Sequence, residues 1–262
     1  MNVTKRTVLG LGAAVLALLI LSSCGGKKAD PLEAIKSAGV LKVGVKSDVP
    51  KFGLLNTASN QYEGLEIELA KLIAKDLLGD PSKAVFTPVT AKTRGPLLDN
   101  GELDLIIATF TITEERKLTY NFTTPYYTDA VGLLVKKAPA YKSLADLNGK
   151  VIGVAQSATS RQAIADAAAA LGVKVDFLEF ATYPEIKAAL DSGRVDVFSV
   201  DKSILNGYLD DTTQILPDAF SPQNYGVTSK LDNKDLAAHV DGLITKWLGD
   251  GTIAGLVSQF GL

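Results

Sequence analysis

The sequence predicts an α/β fold in two lobes, with strands crossing directly from one lobe to the other. Three observations carry that prediction. Strand-like and helix-like segments alternate from about residue 31 to the C-terminus, the pattern of largely parallel sheets. The strands are too many for one sheet with short connections. No Gly/Pro/Ser-rich linker divides the chain, so the lobes must be joined by strands, and AVGLLVKK (130–137) and QNYGVTSK (223–230) are the best candidates.

Each element has a local reason. DPLE (30–33) starts a helix, with Asp30 as cap, Pro31 at the first helical position and Glu33 closing the capping box. LKVGVK (41–46) reads as a strand, and 52–64 as a hairpin with a polar tip around Asn56–Asn60. The run 65–79 carries apolar residues at 65, 67, 69, 72, 73, 77 and 78, a helical stripe ending at Gly79. AVFTPV (84–89) is a strand, RGPLLDNG (94–101) a short helix and turn, and LDLIIATF (103–110) a strand. TITEER (111–116) opens a helix: Thr111 and Glu114 have capping-box spacing, and Thr113 is a second candidate cap. Arg116 then falls in a first turn, where the helix macrodipole disfavours a cation. VGLLVKK (131–137) is a strand, SLADLNG (143–149) a short capped helix and KVIGVA (150–155) a strand. A helix over 157–172 is closed by Gly172. VKVDFLEF, YPEIKAALDSG, RVDVFSV and KSILNGYL then alternate strand and helix up to residue 209. YGVTS (225–229) is the last strand, before helices over 235–249 and 253–260.

The 262 residues are 47% hydrophobic and 21% charged with a net charge of −2, ordinary for a globular protein with ample core. Lys and Arg never run beyond pairs, so nothing argues for nucleic acid. The N-terminus stands apart. MNVTKR is a short basic region and Val8 to Leu21 are fourteen apolar or small residues, a span that suits a signal peptide better than a membrane helix. LSSC resembles a bacterial lipobox, with Cys24, the only cysteine, as the residue lipidated after removal of 1–23. The competing readings are an ordinary signal peptide with an incidental cysteine, or a core helix. Residues 24–31 then form a tether, and the mature chain has no disulfide. Gly10-Leu11-Gly12 starts like a dinucleotide fingerprint, but it lies in the leader and follows no strand.

Enzyme signatures come up short. His239 is the only histidine, with Asp235 its one obvious partner on the same helix, and there is no GxSxG, P-loop, EF-hand or CxxC motif. No catalytic residue, metal site or cofactor is predicted. What remains is a set of charges at the carboxyl ends of strands, where open α/β sheets bind ligands: Lys46, Arg94, Arg116 and Asp201. QSATSR (156–161) adds a helix start with N–H groups free to meet an anion. Singly, each charge reads as a solvated surface group. Together they need a common reason.

VGVKSDVP, AKTRGPLLDNGELD, IATFTITEERK, YNFTTPYY, KSLADLNGKVIGVAQSATS and VDVFSVDKSI, in that order, resemble the family 3 bacterial extracellular solute-binding proteins. These are receptors of polar amino acid ABC transporters, and the chain is most similar to their aspartate/glutamate-binding branch. The resemblance covers nearly all of 32–262. It implies a type II periplasmic-binding-protein-like fold with two hinge strands, one lobe from 32–128 plus 226–262 and the other from 129–225. It implies that Arg116 grips the ligand's α-carboxylate, that Thr111 and the N–H of Thr159 hold its backbone end, and that Asp201 takes its α-ammonium. Lys46, Arg94, Thr109 and Tyr183 are implied as specificity positions. Three cations against Asp201 leave a net +2, which favours aspartate or glutamate over glutamine. The implied partners are an acidic amino acid, a permease with its ATPase, and the membrane through the lipid. The implied state is an extracytoplasmic, lipid-anchored monomer. The same fold also hosts cyclohexadienyl dehydratases, which need a general acid that the sequence does not nominate. A sensor or adhesin is a third reading.

Overall fold

The computed structural model describes residues 31–262. The leader, Cys24, Asp30 and all but the last residue of the tether lie outside the described residues. The first lobe opens with helix α1 (Pro31–Ala38) and strand β1 (Leu41–Val45). Strands β2 (Asp48–Val49), β3 (Gly53–Asn56) and β4 (Gln61–Glu63) form a small antiparallel sheet, with the expected hairpin tip between β3 and β4. Helix α2 (Leu65–Leu78) buries Leu65, Ile67, Leu69, Ile73 and Leu77 and stops at Gly79, whose φ of 76° is the left-handed conformation that glycine adopts without a Cβ penalty. Strand β5 (Ala84–Pro88), helix α3 (Arg94–Asp99), strand β6 (Leu105–Ile107), helix α4 (Glu114–Lys117) and strand β7 (Tyr120–Phe122) follow. β1 lies parallel between β5 and β6, and Val43, Val45, Leu105 and Ile107 are buried, as a parallel sheet covered on both faces requires.

The chain then crosses to the second lobe. Its elements are β8 (Tyr127–Lys136), β9 (Lys150–Ala155), α5 (Ser160–Leu171), β10 (Val175–Phe180), α6 (Tyr183–Ser192), β11 (Val197–Asp201), α7 (Lys202–Asn206), β12 (Thr213–Ile215) and β13 (Phe220–Tyr225). β9, β10 and β11 are parallel, whereas β8 runs antiparallel to β11, β12 and β13. The sheet is therefore mixed, because β8 enters from the other lobe and not through a helical crossover.

The return crossing corrects the prediction of one strand over YGVTS. β13 belongs to the second sheet, while β14 (Thr228–Lys230) inserts between β6 and β7 in the first. The break falls at Gly226, where a Cβ would sit 3.0 Å from Ile112 and 3.2 Å from Phe122, so the strand passes between the lobes through a gap that suits glycine. The two crossings run side by side, with Tyr126 N–H donating to Tyr225 O at 2.9 Å and Thr123 N–H to Val227 O at 3.0 Å. Helices α8 (Lys234–Gly249) and α9 (Thr252–Phe260) close the first lobe. His239 on α8 pairs with Asp76 of α2 at 2.8 Å, not with Asp235, which is one helical turn away but was favoured only by sequence proximity. Among the described residues no helix is long and apolar enough to cross a membrane.

Candidate functional site: the interlobe cleft

The carboxyl ends of the strands face the line where the lobes meet. Lys46 follows β1, Thr109 lies just past β6, Asp201 ends β11 and Thr159 lies just before α5. Arg94 and Tyr183 are the first residues of α3 and α6. Thr111 precedes α4, and Arg116 lies within it. The predicted set of eight thus converges on one cleft, and Lys46, Arg94, Thr109, Thr111, Tyr183 and Asp201 are buried. The lobes are closed on each other there. Arg116 Nη2 donates to Ser157 O of the second lobe at 3.1 Å, Tyr183 N–H donates to Asp48 Oδ2 at 3.4 Å, and Tyr208 OH donates to Asp48 O.

Arg116's position in the helix now has a cause. Thr113 is the cap, its hydroxyl accepting from Arg116 N–H at 3.1 Å. Thr111 is not a cap: it forms a bridge with Tyr225, and its carbonyl accepts from Arg116 Nη1 at 2.8 Å. The Arg116 guanidinium lies 4.7 Å from the centre of the Phe110 ring and that of Arg94 lies 3.8 Å from it, so one aromatic ring steadies two cations. Burial, helped by neighbouring Arg94, pulls Arg116 down to about 9. Arg94 Nη1 also donates to Ala108 O at 2.6 Å and to Thr109 O at 3.3 Å, while its Nε, though buried, has no partner.

Two carboxyls are held against their preference. Asp201 is pushed up to about 7 by burial, opposed by the Tyr225 hydroxyl that donates to it and by Arg94 and Arg116. Glu66, in the first turn of α2, is completely buried and also pushed up to about 7 by burial. Its Oε1 accepts from Thr109 N–H and from Tyr126 OH, each at 2.5 Å, and its Oε2 has no partner. Those bonds hold Thr109 at φ 44°, a left-handed conformation uncommon for a residue with a Cβ. The Thr109 hydroxyl is buried and unpartnered. Lys46, lowered by burial, pairs with Asp48 at 3.0 Å and lies 4.6 Å from the Tyr183 ring centre.

The charge count must change. Asp48 and Glu66 join Asp201, so among these six groups three cations meet three carboxyls and the net +2 read from the sequence becomes formally zero. Sequence reasoning missed Asp48, Glu66, Phe110, Gln223 and Tyr225. Only Glu66 left a signal: it shares a helical face with the apolar Ala70, Ile73 and Leu77, where a solvated charge has no place. Gln223 is 1% exposed and accepts at Oε1 from the hydroxyls of Thr111 (2.8 Å) and Thr159 (2.6 Å).

Known proteins share this architecture. The ABC transporter glutamine-binding protein GlnH of Bacillus subtilis (strain 168) is 39% identical over 252 residues, covering 91% of this chain and 90% of that one. A glutamine-binding protein of Geobacillus stearothermophilus is 41% identical over 207 residues, 78% of each chain. The glutamate-binding protein GluB of Corynebacterium glutamicum is 28% identical over 264 residues, 95% of this chain and 88% of that one. Among solved structures, the cysteine-binding protein of Campylobacter jejuni superposes with a TM-score of 0.81 at 28% identity, covering 88% of this chain and 92% of that one. Residues 41–262 match the bacterial extracellular solute-binding proteins, family 3, and the chain belongs to that family.

Proposed function

We propose that this protein is the receptor of an ABC importer that closes its lobes on one α-amino acid, and that the amino acid is aspartate or glutamate. The carrying observation is the opposition of Arg116 and Asp201 across the closed cleft, each destabilised as an ion by burial. Each feels the other's charge, but neither has an ion pair among the described residues, and a ligand carrying a carboxylate and an ammonium would give each a direct partner. In this reading Arg116 grips the α-carboxylate, Asp201 takes the α-ammonium, and Thr111 and Thr159 complete the backbone grip.

The acidic preference rests on the wall opposite. Arg94 Nε and the Thr109 hydroxyl are buried donors without partners among the described residues, and in this reading a side-chain carboxylate would be their acceptor. Lys46 and Tyr183 border the same wall. Glu66 near pH 7 is only partly ionised, which leaves the cleft a positive balance for a ligand of net charge −1. Glutamine is the second reading, favoured by the formally neutral charge count and by two relatives named for that ligand. No bond is made or broken in either. Glu66 does offer the raised pKa a general acid needs, so the dehydratase reading is tested alongside.

Calorimetric titration of ligand-stripped protein with aspartate, glutamate, glutamine, asparagine, arginine and prephenate separates these readings. Tight binding of a neutral or basic amino acid with no response to the acidic pair refutes the acidic assignment, and turnover of prephenate refutes the receptor itself. Arg116→Ala and Asp201→Ala should each cost roughly 2–5 kcal/mol with every amino acid, because each strands a buried charge of the ligand. The lobes we propose are 32–128 with 226–262 and 129–225, divided within two residues of where the chain passes between the two larger sheets. The chain is further proposed to act as a monomer held to the membrane by lipid on Cys24, delivering its ligand to a permease and ATPase. Cys24→Ala should then release it from the membrane fraction with its ligand affinity unchanged.

A further inference from the structure

Gln223 makes contacts that no role assigned above requires. It lies on β13, on the same strand face as Tyr225, two residues on, whose hydroxyl donates to Asp201. Its Nε2 donates to Ser221 O at 2.8 Å, and its Oε1 accepts from Thr111 Oγ1 at 2.8 Å and from Thr159 Oγ1 at 2.6 Å. The orientation of the amide follows from chemistry. A backbone carbonyl only accepts, so the end of the amide facing Ser221 O must be the nitrogen, and the end facing the two threonines must be the oxygen.

A threonine hydroxyl has one proton to give and two lone pairs to offer. Thr111 and Thr159 both spend that proton on the same Gln223 oxygen. Toward anything else in the cleft they can then only accept. Thr111 comes from the first lobe and Thr159 from the second, so one oxygen collects a hydrogen bond from each side of the cleft. Asp201 accepts from Tyr225 at Oδ2 and keeps its other oxygen. An ammonium, however, points three donors in three directions that one carboxylate cannot meet, and the threonine oxygens are acceptors for the rest.

We propose that Gln223 fixes the direction of both hydroxyl protons, so that Thr111 and Thr159 face the ligand as acceptors and read its α-ammonium. The proposal rests on the receptor function above. It makes Gln223 a positioning residue that acts through two others. It also assigns the threonines to the ammonium, while the α-carboxylate is left to Arg116 and backbone N–H groups.

Glutamate and glutarate test it, because they share both carboxylates and differ by the ammonium. Wild-type protein and Gln223→Met are titrated with each, with thermal melts to confirm folding. Gln223→Met should lose at least about tenfold in glutamate affinity, the loss of hydrogen bonds to a charged group, while glutarate affinity stays within a few-fold, so the ratio narrows. Thr111→Val should narrow the ratio in the same way, and Thr111→Ser, which keeps the hydroxyl, should not. The threonine pair reads the proposal even where Gln223→Met melts early. Equal losses for both ligands, or an unchanged ratio in Thr111→Val, overturn the assignment and leave the receptor intact. A wild-type protein that binds no amino acid overturns the function first.

Discussion

Burying Asp201 and Glu66 should make the ligand-free protein lose stability as pH rises from 5 to 8. Both carboxyls are raised in the folded state, Asp201 from 3.8 and Glu66 from 4.5, each to about 7. Between those values the folded protein holds more protons than the unfolded chain, so the stability slope with pH is negative. Below about pH 4 both states are protonated and the groups contribute no slope. Above about pH 7 both are ionised and the full penalty applies. Integrated from pH 5 to pH 8, each group accounts for a loss of about 2.5 kcal/mol. Arg116, at about 9, titrates above this window, while Lys46 is lowered by burial and works in the opposite sense. The assay is therefore comparative: denaturant unfolding at pH 5 and pH 8 for wild type, Asp201→Asn and Glu66→Gln. Asn keeps an acceptor for Tyr225 and Gln keeps one for Thr109 and Tyr126, so each variant removes the titration and spares the fold. Each should lose roughly half of the wild-type change. A wild-type stability that is level or rises over this range, or variants that match its slope, refutes the reasoning. The functional corollary is that a ligand ammonium needs Asp201 ionised, so affinity at that contact should fall as pH drops below about 7.

Two further outcomes test the cleft. Gly207 lies against Pro50 across the lobes, and a Cβ there would sit 2.8 Å from Pro50 Cγ; because φ at Gly207 is an ordinary −73°, Gly207→Ala should wedge the lobes apart without straining the backbone. It should weaken every amino acid about tenfold or more with little change in melting temperature, and small-angle scattering should show a more open particle. Arg94→Met should weaken aspartate and glutamate by about 2–4 kcal/mol more than glutamine. Lys46→Gln should do so less, because Asp48 already neutralises Lys46, and calorimetry with both ligand types checks the order.

What was legible in the sequence was what is local. The stripe of α2, the glycine after it, the hairpin before it and the short capped helix over 143–149 depend on residues a few positions apart, and the structure has each of them. The rule that ligands meet the carboxyl ends of strands brought Lys46, Arg94, Arg116 and Asp201 to one cleft. Pairings across the chain were not legible. Gln223 meets Thr111 and Thr159 at separations of 112 and 64 residues, and nothing in SPQNY marks it. The divided strand at Gly226 looked continuous because YGVTS keeps strand patterning through a crossing whose partners lie on two sheets.

The consequence reaches function through the charges. A tally of cations at strand ends gave an electropositive cleft because it counted neither Asp48 nor Glu66, although Glu66 lies on the apolar face of α2. Folding turns Asp48 onto Lys46 and sinks Glu66 beneath Thr109. The proposed preference for an acidic ligand then cannot rest on net charge. The proposed preference rests instead on which donors lack partners and on how far Glu66 is ionised, both properties of the closed cleft. A titration that follows proton uptake alongside heat separates the two: binding glutamate should raise the protonation of Glu66 near pH 7, and binding glutamine should not. Equal proton balance for the two ligands would remove Glu66 from the specificity argument and return the choice of ligand to Arg94 and Thr109 alone.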